Sequence, residues 1–505
     1  MSDTDNGCTG GHGLLIVAAA LIGGLILFAA AKAQLAGTIF EQARVAVAAG
    51  TGWLLILIMN VVLGFAFFLA LSRYGGIRLG GPDARPEYSR LDWFGMLFAA
   101  GMGIGLLFYS IAEPLQHFAA FLPYLGDDRP ATARLAMEMT FLHWGLHPWA
   151  VYALVGLSLA FFHFNRGEPL GFGVPLARLM RAEQARRVGW AVNLVAVLST
   201  VFGISTSLGL GTSQAAEGIG QLTGLPASTG LELALIGIVA SVALVSVLSG
   251  LGNGVRLLSK LNLLLAFALM LYVLFAGQTV FVLKALGEHV GGYLNDLTLL
   301  STWNETYTGT NWQAQWTLFY WSWWIAWSPF VGMFIAKVSR GRTVREYILG
   351  VVLVPSGFNF LWMTVFGGNA LHLELFQSAG LAEAVAAEPD ASLYTFLAHL
   401  PWSEVTIALA VVVVLIFFVT SADSGAHVVA TLTSNGLDPS WQQRVFWVVT
   451  VALVAAVLMR AGGLSALQSA TIATGLPFGL LLLAMIPALL RAMRADPRDQ
   501  QNSRS

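Results

Sequence analysis

What most constrains this chain is a series of apolar runs, each about twenty residues long, recurring along nearly its whole length. Bilayer hydrocarbon is about 30 Å thick, and a helix needs about 20 mostly apolar residues to cross it. Twelve runs meet that measure, near 14–31, 51–71, 94–112, 140–162, 190–211, 231–250, 261–283, 316–337, 347–367, 404–420, 444–460 and 472–490. The expected fold is therefore all-α, a polytopic integral membrane protein with twelve transmembrane helices. Composition leaves little room for a soluble alternative. Hydrophobic residues are 57% and charged residues 10%, against about 45–50% and about 25% in soluble domains. The balance of 26 Lys plus Arg against 27 Asp plus Glu gives no reason to expect nucleic acid, and Cys8, the lone cysteine, excludes a disulfide-built domain. The implied partner is membrane lipid. The first run reads as a membrane helix rather than a cleavable signal, because Asp3 and Asp5 precede it and no Lys or Arg does.

An even number of spans puts both termini on one side. The N-terminal segment, the even-numbered loops and the tail together carry 20 Lys and Arg, the odd-numbered loops 6. Cytoplasmic loops collect these residues, so both termini are expected in the cytoplasm, with Arg73 to Arg90, Arg166 to Arg187 and Arg340 to Arg345 on inner loops. Topology alone accounts for those arginines. The chain divides into a short cytoplasmic segment (1–13), two leading helices with a basic loop (14–93), a first five-helix unit (94–283), an outer connection (284–315), a second five-helix unit (316–490) and a short basic tail (491–505). The more polar 284–315 and 368–403 stretches are expected to hold short interfacial helices.

Glycine or proline inside a span marks backbone that is buried or water-lined, since lipid offers no partners. The third span carries Gly101-Met102-Gly103-Ile104-Gly105 and ends in Glu113-Pro114; the eighth carries Ser328-Pro329 after an aromatic run. Small residues at such spacing also serve close helix packing. Position favours more than that. The third and eighth spans start on opposite faces, so five-helix units at 3–7 and 8–12 form an inverted repeat, and paired broken helices in such repeats point to a midplane binding site.

Tryptophans usually gather in interfacial belts. In the eighth span Trp316, Tyr320, Trp323, Trp324 and Trp327 instead fall in one arc of roughly 100°, running three turns inward. In the fourth span Trp144, Trp149 and Tyr152 share an arc of about 140°. A quaternary ammonium has no N–H to donate and is held by π faces, each worth about 0.5–2 kcal/mol. A carboxylate on the same ligand finds donors in the exposed backbone of Gly101, Gly103 and Gly105. These features describe a trimethylammonium zwitterion, with plain aromatic packing as the competing account.

Other chemistry is poorly represented. His143 and His147 lie four apart on one helical face, but no third ligand is evident, so packing is the better reading. Glu113 and Asp423 are ionisable groups near helix ends, where they either cap helices or touch a ligand. No nucleophile with its base marks an enzyme, no P-loop supports direct ATP-driven pumping, and a path lined with bulky tryptophans does not describe a channel.

Six stretches carry a resemblance: Gly101-Met102-Gly103-Ile104-Gly105-Leu106, Ile111-Ala112-Glu113-Pro114, His143-Trp144-Gly145-Leu146-His147-Pro148-Trp149, Trp316 through Gly332, Ser339-Arg340-Gly341-Arg342-Thr343 and Thr420-Ser421-Ala422-Asp423-Ser424. Together they resemble the betaine/choline/carnitine transporter family, in particular its sodium-coupled glycine betaine transporters. The resemblance implies a secondary active transporter of the bacterial inner (plasma) membrane, working by alternating access. It is not an enzyme, has no cofactor, takes Na+ as coupling ion and is usually a homotrimer. Its substrate would be a small quaternary-ammonium compatible solute. By the same resemblance Trp144, Trp149, Tyr152 and Trp324 form the cage around the ammonium. Phe319, Trp323 and Trp327 line the cytoplasmic part of the path. Sodium falls to the carbonyls of Ala99, Met102 and Phe417 and the hydroxyls of Thr420 and Ser421.

Three departures from the family pattern matter. Gly105 stands where choline-carrying relatives place an acid, which favours a zwitterion and ranks betaine above choline. A second sodium site built on two hydroxyls four apart meets Thr200 and then Ile204, leaving Ser205 and Thr206 as substitutes. The fifteen-residue tail is short against the long charged tails of osmosensing members, so osmotic gating is not expected. Sodium-independent antiport of choline- or carnitine-type compounds, and transport of a dimethylsulfonio zwitterion, are the alternative functions.

Overall fold

Inside hydrocarbon the backbone has no water to bond, so each apolar run closes its own N–H and C=O groups as helix. The structure, a computed structural model, describes residues 5–101, 103–249, 252–308, 310–434 and 436–495. Helices α1 (Asp5–Ala31) and α2 (Ala33–Leu71) lead the chain, and α3 (Arg90–Gly101) and α4 (Ile104–Phe121) follow. Next come α5 (Arg129–Trp144), α6 (Leu146–Ala160), the short α7 (Gly173–Ala177), α8 (Ala182–Thr223), α9 (Thr229–Ser249) and α10 (Gly252–Ala276). Helix α11 (Thr279–Thr302) and the single turn α12 (Trp312–Gln315) connect these to α13 (Thr317–Val338) and α14 (Val344–Met363). Three short helices, α15 (Asn369–Gln377), α16 (Leu381–Ala387) and α17 (Ser392–Leu397), precede α18 (Ser403–Thr433) and α19 (Trp441–Arg494).

Among the described residues nine helices are long and apolar enough to cross a membrane. Three features account for the difference from the twelve expected runs. The third run is divided into α3 and α4, each too short or too polar to qualify alone. Helix α13 is not among the nine; its four tryptophans, Tyr320, two serines and Lys337 all carry polar side-chain atoms. The last two runs join in α19, 54 residues long, which turns at Gly462 and at Gly463, where φ is 62° and ψ −150°. That backbone suits glycine alone. The 284–315 stretch also differs from expectation: it is mostly one helix, the 24-residue α11, rather than short pieces.

The glycine segment interrupts its span as expected, with Gly103 extended at φ −120°, ψ −172°. A second interruption falls at Gly145, between α5 and α6. A side chain there would meet the Phe141 carbonyl at 2.5 Å and the Phe360 ring at 2.7 Å. The carbonyls this break frees are taken by side chains: Trp324 Nε1 donates to His143 O at 2.8 Å and Asn359 Nδ2 to Trp144 O at 2.7 Å. Ser328-Pro329 does not break its span, contrary to expectation. Helix α13 runs through Pro329, and the hydroxyl of Ser328 donates to Ile325 O at 2.7 Å. Ile325 is the residue four back from the proline, so serine supplies the donor that proline lacks.

Twenty of the 22 residues of α13 are buried, and all fifteen of α6. The aromatic stripe is therefore interior and not a lipid-facing belt. At one end of the bundle the two basic loops interlock. Gly341 N donates to Leu79 O at 2.8 Å, and Leu79 N to Arg342 O at 2.9 Å. Arg342 lies over the Trp93 ring and donates to Tyr88 O at 2.6 Å, while Arg345 reaches Ala70 O. These arginines have structural work in addition to any topological role.

Candidate functional site

The interruption at Gly145 places Trp144 at the last residue of one helix and Trp149 and Tyr152 in the first two turns of the next, with Trp144 and Tyr152 against Trp324 of α13. The Trp144 ring meets Trp324 edge to face, centroids 4.9 Å apart and planes at 74°. Tyr152 lies 6.4 Å from Trp324 at 86° and 5.5 Å from Trp149 at 88°. The four rings thus form one connected cluster from α5, α6 and α13, Trp149 joining it through Tyr152. All are buried, and the Tyr152 hydroxyl has no hydrogen-bond partner among the described residues.

The glycine segment closes one side. A Cβ on Gly105 would meet Trp144 Cη2 at 2.7 Å and Trp323 Cη2 at 2.9 Å, and one on Gly103 would meet Trp327 Cη2 at 3.3 Å. Two of the three glycines therefore face these indoles directly; Gly101 ends α3. Along α13 the aromatics are continuous. Phe319 stacks on Trp323 at 5.4 Å, Trp323 on Trp324 at 4.9 Å, and Trp323 and Trp327 lie 6.4 Å apart. Phe319 precedes Trp324 by five residues and Trp327 follows it by three, so at about 1.5 Å per residue they lie on opposite sides of the cage along the axis.

Behind the cage sits a polar cluster that sequence reading did not assemble. Glu113 is fully buried within α4 and caps nothing. Its Oε2 accepts from Trp144 Nε1 at 2.8 Å and from the Tyr320 hydroxyl at 2.5 Å. Its Oε1 lies 2.6 Å from His143 Nδ1 and 3.1 Å from His117 Nε2. His143 pairs with these groups and not with His147, which lies 3.3 Å from Asn60 Oδ1. Glu113, His117 and His143 have the composition of a metal site, with ligand atoms within 4.8 Å of one another, but those atoms already bond each other. The signal available in sequence was the four-residue spacing of Glu113 and His117, which places both on one helical face. Tyr109 is a further ring the sequence reading left out: its centroid is 5.2 Å from Tyr320 and 6.0 Å from Trp144. Asp423 lies inside α18 and pairs with Arg444 at 3.4 Å.

Of the expected ion ligands, Met102 and the surroundings of Ala99 lie outside the described residues. Phe417, Thr420 and Ser421 line a cavity of about 60 Å³ together with Trp327 and Asn262. The Thr420 hydroxyl donates back to Ile416 O and Phe417 O at 3.1 and 3.0 Å. Ile204 and Ser421 share a smaller void of about 10 Å³. Ser205 bonds Val451 O and Thr206 pairs with Thr471, so both substitute hydroxyls face α19.

A family profile described as BCCT, betaine/carnitine/choline family transporter, matches residues 13–498. The chain belongs to the betaine/carnitine/choline transporter family. Relatives within the family agree. The glycine betaine transporter OpuD of Bacillus subtilis is 39% identical over 490 residues, 96% of this chain and 94% of that protein. A glycine betaine transporter of Acinetobacter baylyi is 43% identical over 448 residues, 87% of this chain and 68% of its own length. A glycine betaine/proline/choline transporter of Vibrio parahaemolyticus is 40% identical over 476 residues, covering 91% and 86%. As a member of this family the chain is a multi-pass membrane transporter, and its apolar helices are the spans that membership requires.

Proposed function

We propose that this transporter takes up a trimethylammonium zwitterion of the glycine betaine type by sodium symport, with Trp144, Trp149, Tyr152 and Trp324 around the ammonium. The observation that carries the reading is the run of edge-to-face contacts that links those four rings, with crossing angles of 74° to 88°, a cluster of the aromatic faces that attract a cation. Backbone N–H groups of the Gly101–Gly105 segment receive the carboxylate. The crowding around Gly105, where even a methyl group would press on Trp144 and Trp323, leaves no room for an acidic side chain and favours a zwitterion over choline.

Sodium binds between α3 and α18, at the carbonyls of Ala99, Met102 and Phe417 and the hydroxyls of Thr420 and Ser421. Oxygen ligands without a carboxylate suit a monovalent ion. The two hydroxyls and Phe417 border one small cavity beside Trp327, which supports an ion bound in reach of the aromatic path. Coupling follows if sodium and substrate each favour the same outward-open state, and its strength is reciprocal. The twelve-span, inverted-repeat arrangement, both termini inside, residence in the bacterial inner membrane and a homotrimer belong to the same reading. The kink of α19 at Gly462 and Gly463 supports the span count.

The test is uptake of radiolabelled glycine betaine into proteoliposomes with and without an inward sodium gradient, with choline, carnitine and a dimethylsulfonio zwitterion as competitors. Sodium-driven concentration blocked by zwitterions is the expected result. Sodium-independent exchange would make the protein an antiporter and remove the ion site, and stronger competition by the sulfonium compound would make that the substrate.

A further inference from the structure

A carboxylate that is fully buried at membrane depth is expensive to keep unless a positive charge compensates it. The ion-pair partners of Glu113 among the described residues are two imidazoles, His117 and His143, with no lysine or arginine. The bonding pattern is compatible with both imidazoles being neutral. His117 Nδ1 is buried without a partner among the described residues, as suits the neutral tautomer that donates from Nε2 to Glu113. His143 gives Nδ1–H to Glu113, and its Nε2 lies 3.0 Å from the Thr317 hydroxyl. This ring is also neutral in the tautomer whose Nε2 accepts from the threonine, and the inference rests on that tautomer. Four donors then satisfy the carboxylate's lone pairs while leaving its charge uncancelled.

Two of those donors belong to the aromatic cluster. Trp144 is a cage wall, and Tyr320 stacks on Trp324 with centroids 6.0 Å apart. An indole or phenol that donates to a carboxylate gains electron density, and its π face becomes more attractive to a cation. Both oxygens of Glu113 are taken by Trp144, Tyr320, His143 and His117, so the carboxylate is placed to act on the ligand through those rings.

We infer that Glu113 is the remote counter-ion of the substrate's cationic head, a positioning residue that acts through Trp144 and Tyr320 and makes the cage select charge in addition to shape. This rests on the proposed cage. A unit charge one hydrogen bond behind a cage ring, at an effective dielectric of about 20, is worth on the order of tenfold in affinity after screening. It acts only on ligands that carry the positive charge.

The experiment compares inhibition constants of glycine betaine and 3,3-dimethylbutanoate, its uncharged-headed carbon isostere, in proteoliposomes of wild type, Glu113→Gln and Glu113→Asp. The wild type prefers betaine. Glu113→Gln keeps the size and removes the charge, and lowers the betaine-to-isostere preference about tenfold. Glu113→Asp keeps the charge and holds the preference within about threefold, although its hydrogen bonds lengthen. Equal losses for both ligands in Glu113→Gln, or an Asp variant that loses preference as steeply as Gln, overturn the inference. If Glu113→Gln does not fold, Tyr320→Phe decides: it cuts one of the two hydrogen bonds through which the carboxylate acts and leaves the carboxylate in place, so the betaine-to-isostere preference falls about threefold, and an unchanged preference overturns the idea. Wild-type protein that binds no betaine would instead sink the proposed function.

Discussion

Trp324 donates its indole N–H to the main-chain carbonyl of His143, 2.8 Å away, so the ring that faces Trp144 also closes the backbone left open at the Gly145 break. Recognition and helix geometry are thereby joined in one side chain. Trp324→Phe keeps a π face and loses the bond, which leaves a buried carbonyl unpaired at about 1–3 kcal/mol. Trp324→Ala loses the face as well, a further 0.5–2 kcal/mol or so. Betaine uptake is expected to fall about tenfold in the Phe variant and more than thirtyfold in the Ala variant, at equal expression. The control is Trp53→Ala, because Trp53 is 58% exposed. Trp321, three residues before Trp324 and about 60° from it around α13, is fully buried against His143 and His147, so its removal would disturb the site. Equal loss at Trp53 and Trp324 would sink the cage.

The two inner glycines are graded by space. A methyl at Gly105 presses on two indoles at 2.7 and 2.9 Å, one at Gly103 on a single indole at 3.3 Å. Gly105→Ala is expected to raise the betaine KM about tenfold and Gly103→Ala about threefold or less, as overpacking does in a dense interior. The order is read from saturation curves of uptake. The reverse order would mean that the rings give way more easily than the packing implies.

Thr420→Ala combined with Ser421→Ala removes both hydroxyls from the cavity beside Phe417. Half-saturation by sodium is expected to shift upward about tenfold, with betaine affinity at saturating sodium changed much less, because coupling acts through the ion's occupancy. Sodium titration of uptake reads it. An unmoved sodium curve would remove these hydroxyls from the ion site.

Asp390 lies outside the spans, in the turn Pro389–Ala391, and burial pushes its carboxyl up to about 6, with the Glu217 and Glu232 carboxylates adding to the shift. A raised folded pKa means the native state binds the proton more tightly than the unfolded chain. Its stabilising effect is full below the ordinary carboxylate range near 4 and is lost as pH rises through about 6. Asp390→Asn should remove that loss, on the order of 1–2 kcal/mol, and flatten the pH dependence of thermal unfolding between pH 4 and 6 in detergent. A variant with the wild-type slope would place the titration elsewhere.

Much of the site was legible because its signals are local. Helical periodicity put Trp144, Trp149 and Tyr152 on one arc and Trp324 on another, and the rings meet. The glycine run marked a true interruption for the same reason, since it acts on its own backbone. Glu113 was harder to read. Its partners Trp144, His143 and Tyr320 lie 30 to 207 positions away, and periodicity carries no information about which faces will meet. Gly145 was passed over because a lone glycine in a helix is common, and only the closeness of Phe360 shows that this one has no substitute. Pro329 was misread in the opposite direction: proline signals a break only if the freed carbonyl stays open.

Ser328 and Pro329 give a sharp test of that last point. Pro329 has no N–H for Ile325 O, and the Ser328 hydroxyl takes the place of the missing donor at 2.7 Å. Ser328→Ala alone should strand the carbonyl inside a helix that is buried on nearly every side, costing about 1–3 kcal/mol. Ser328→Ala with Pro329→Ala restores a backbone N–H at position 329 and needs no serine, so the double variant should be more stable than Ser328→Ala and close to wild type. The two changes are therefore strongly non-additive, a coupling that thermal unfolding of the four proteins in a double-mutant cycle measures directly. Additive losses would show that the serine hydroxyl is not what carries α13 through its proline.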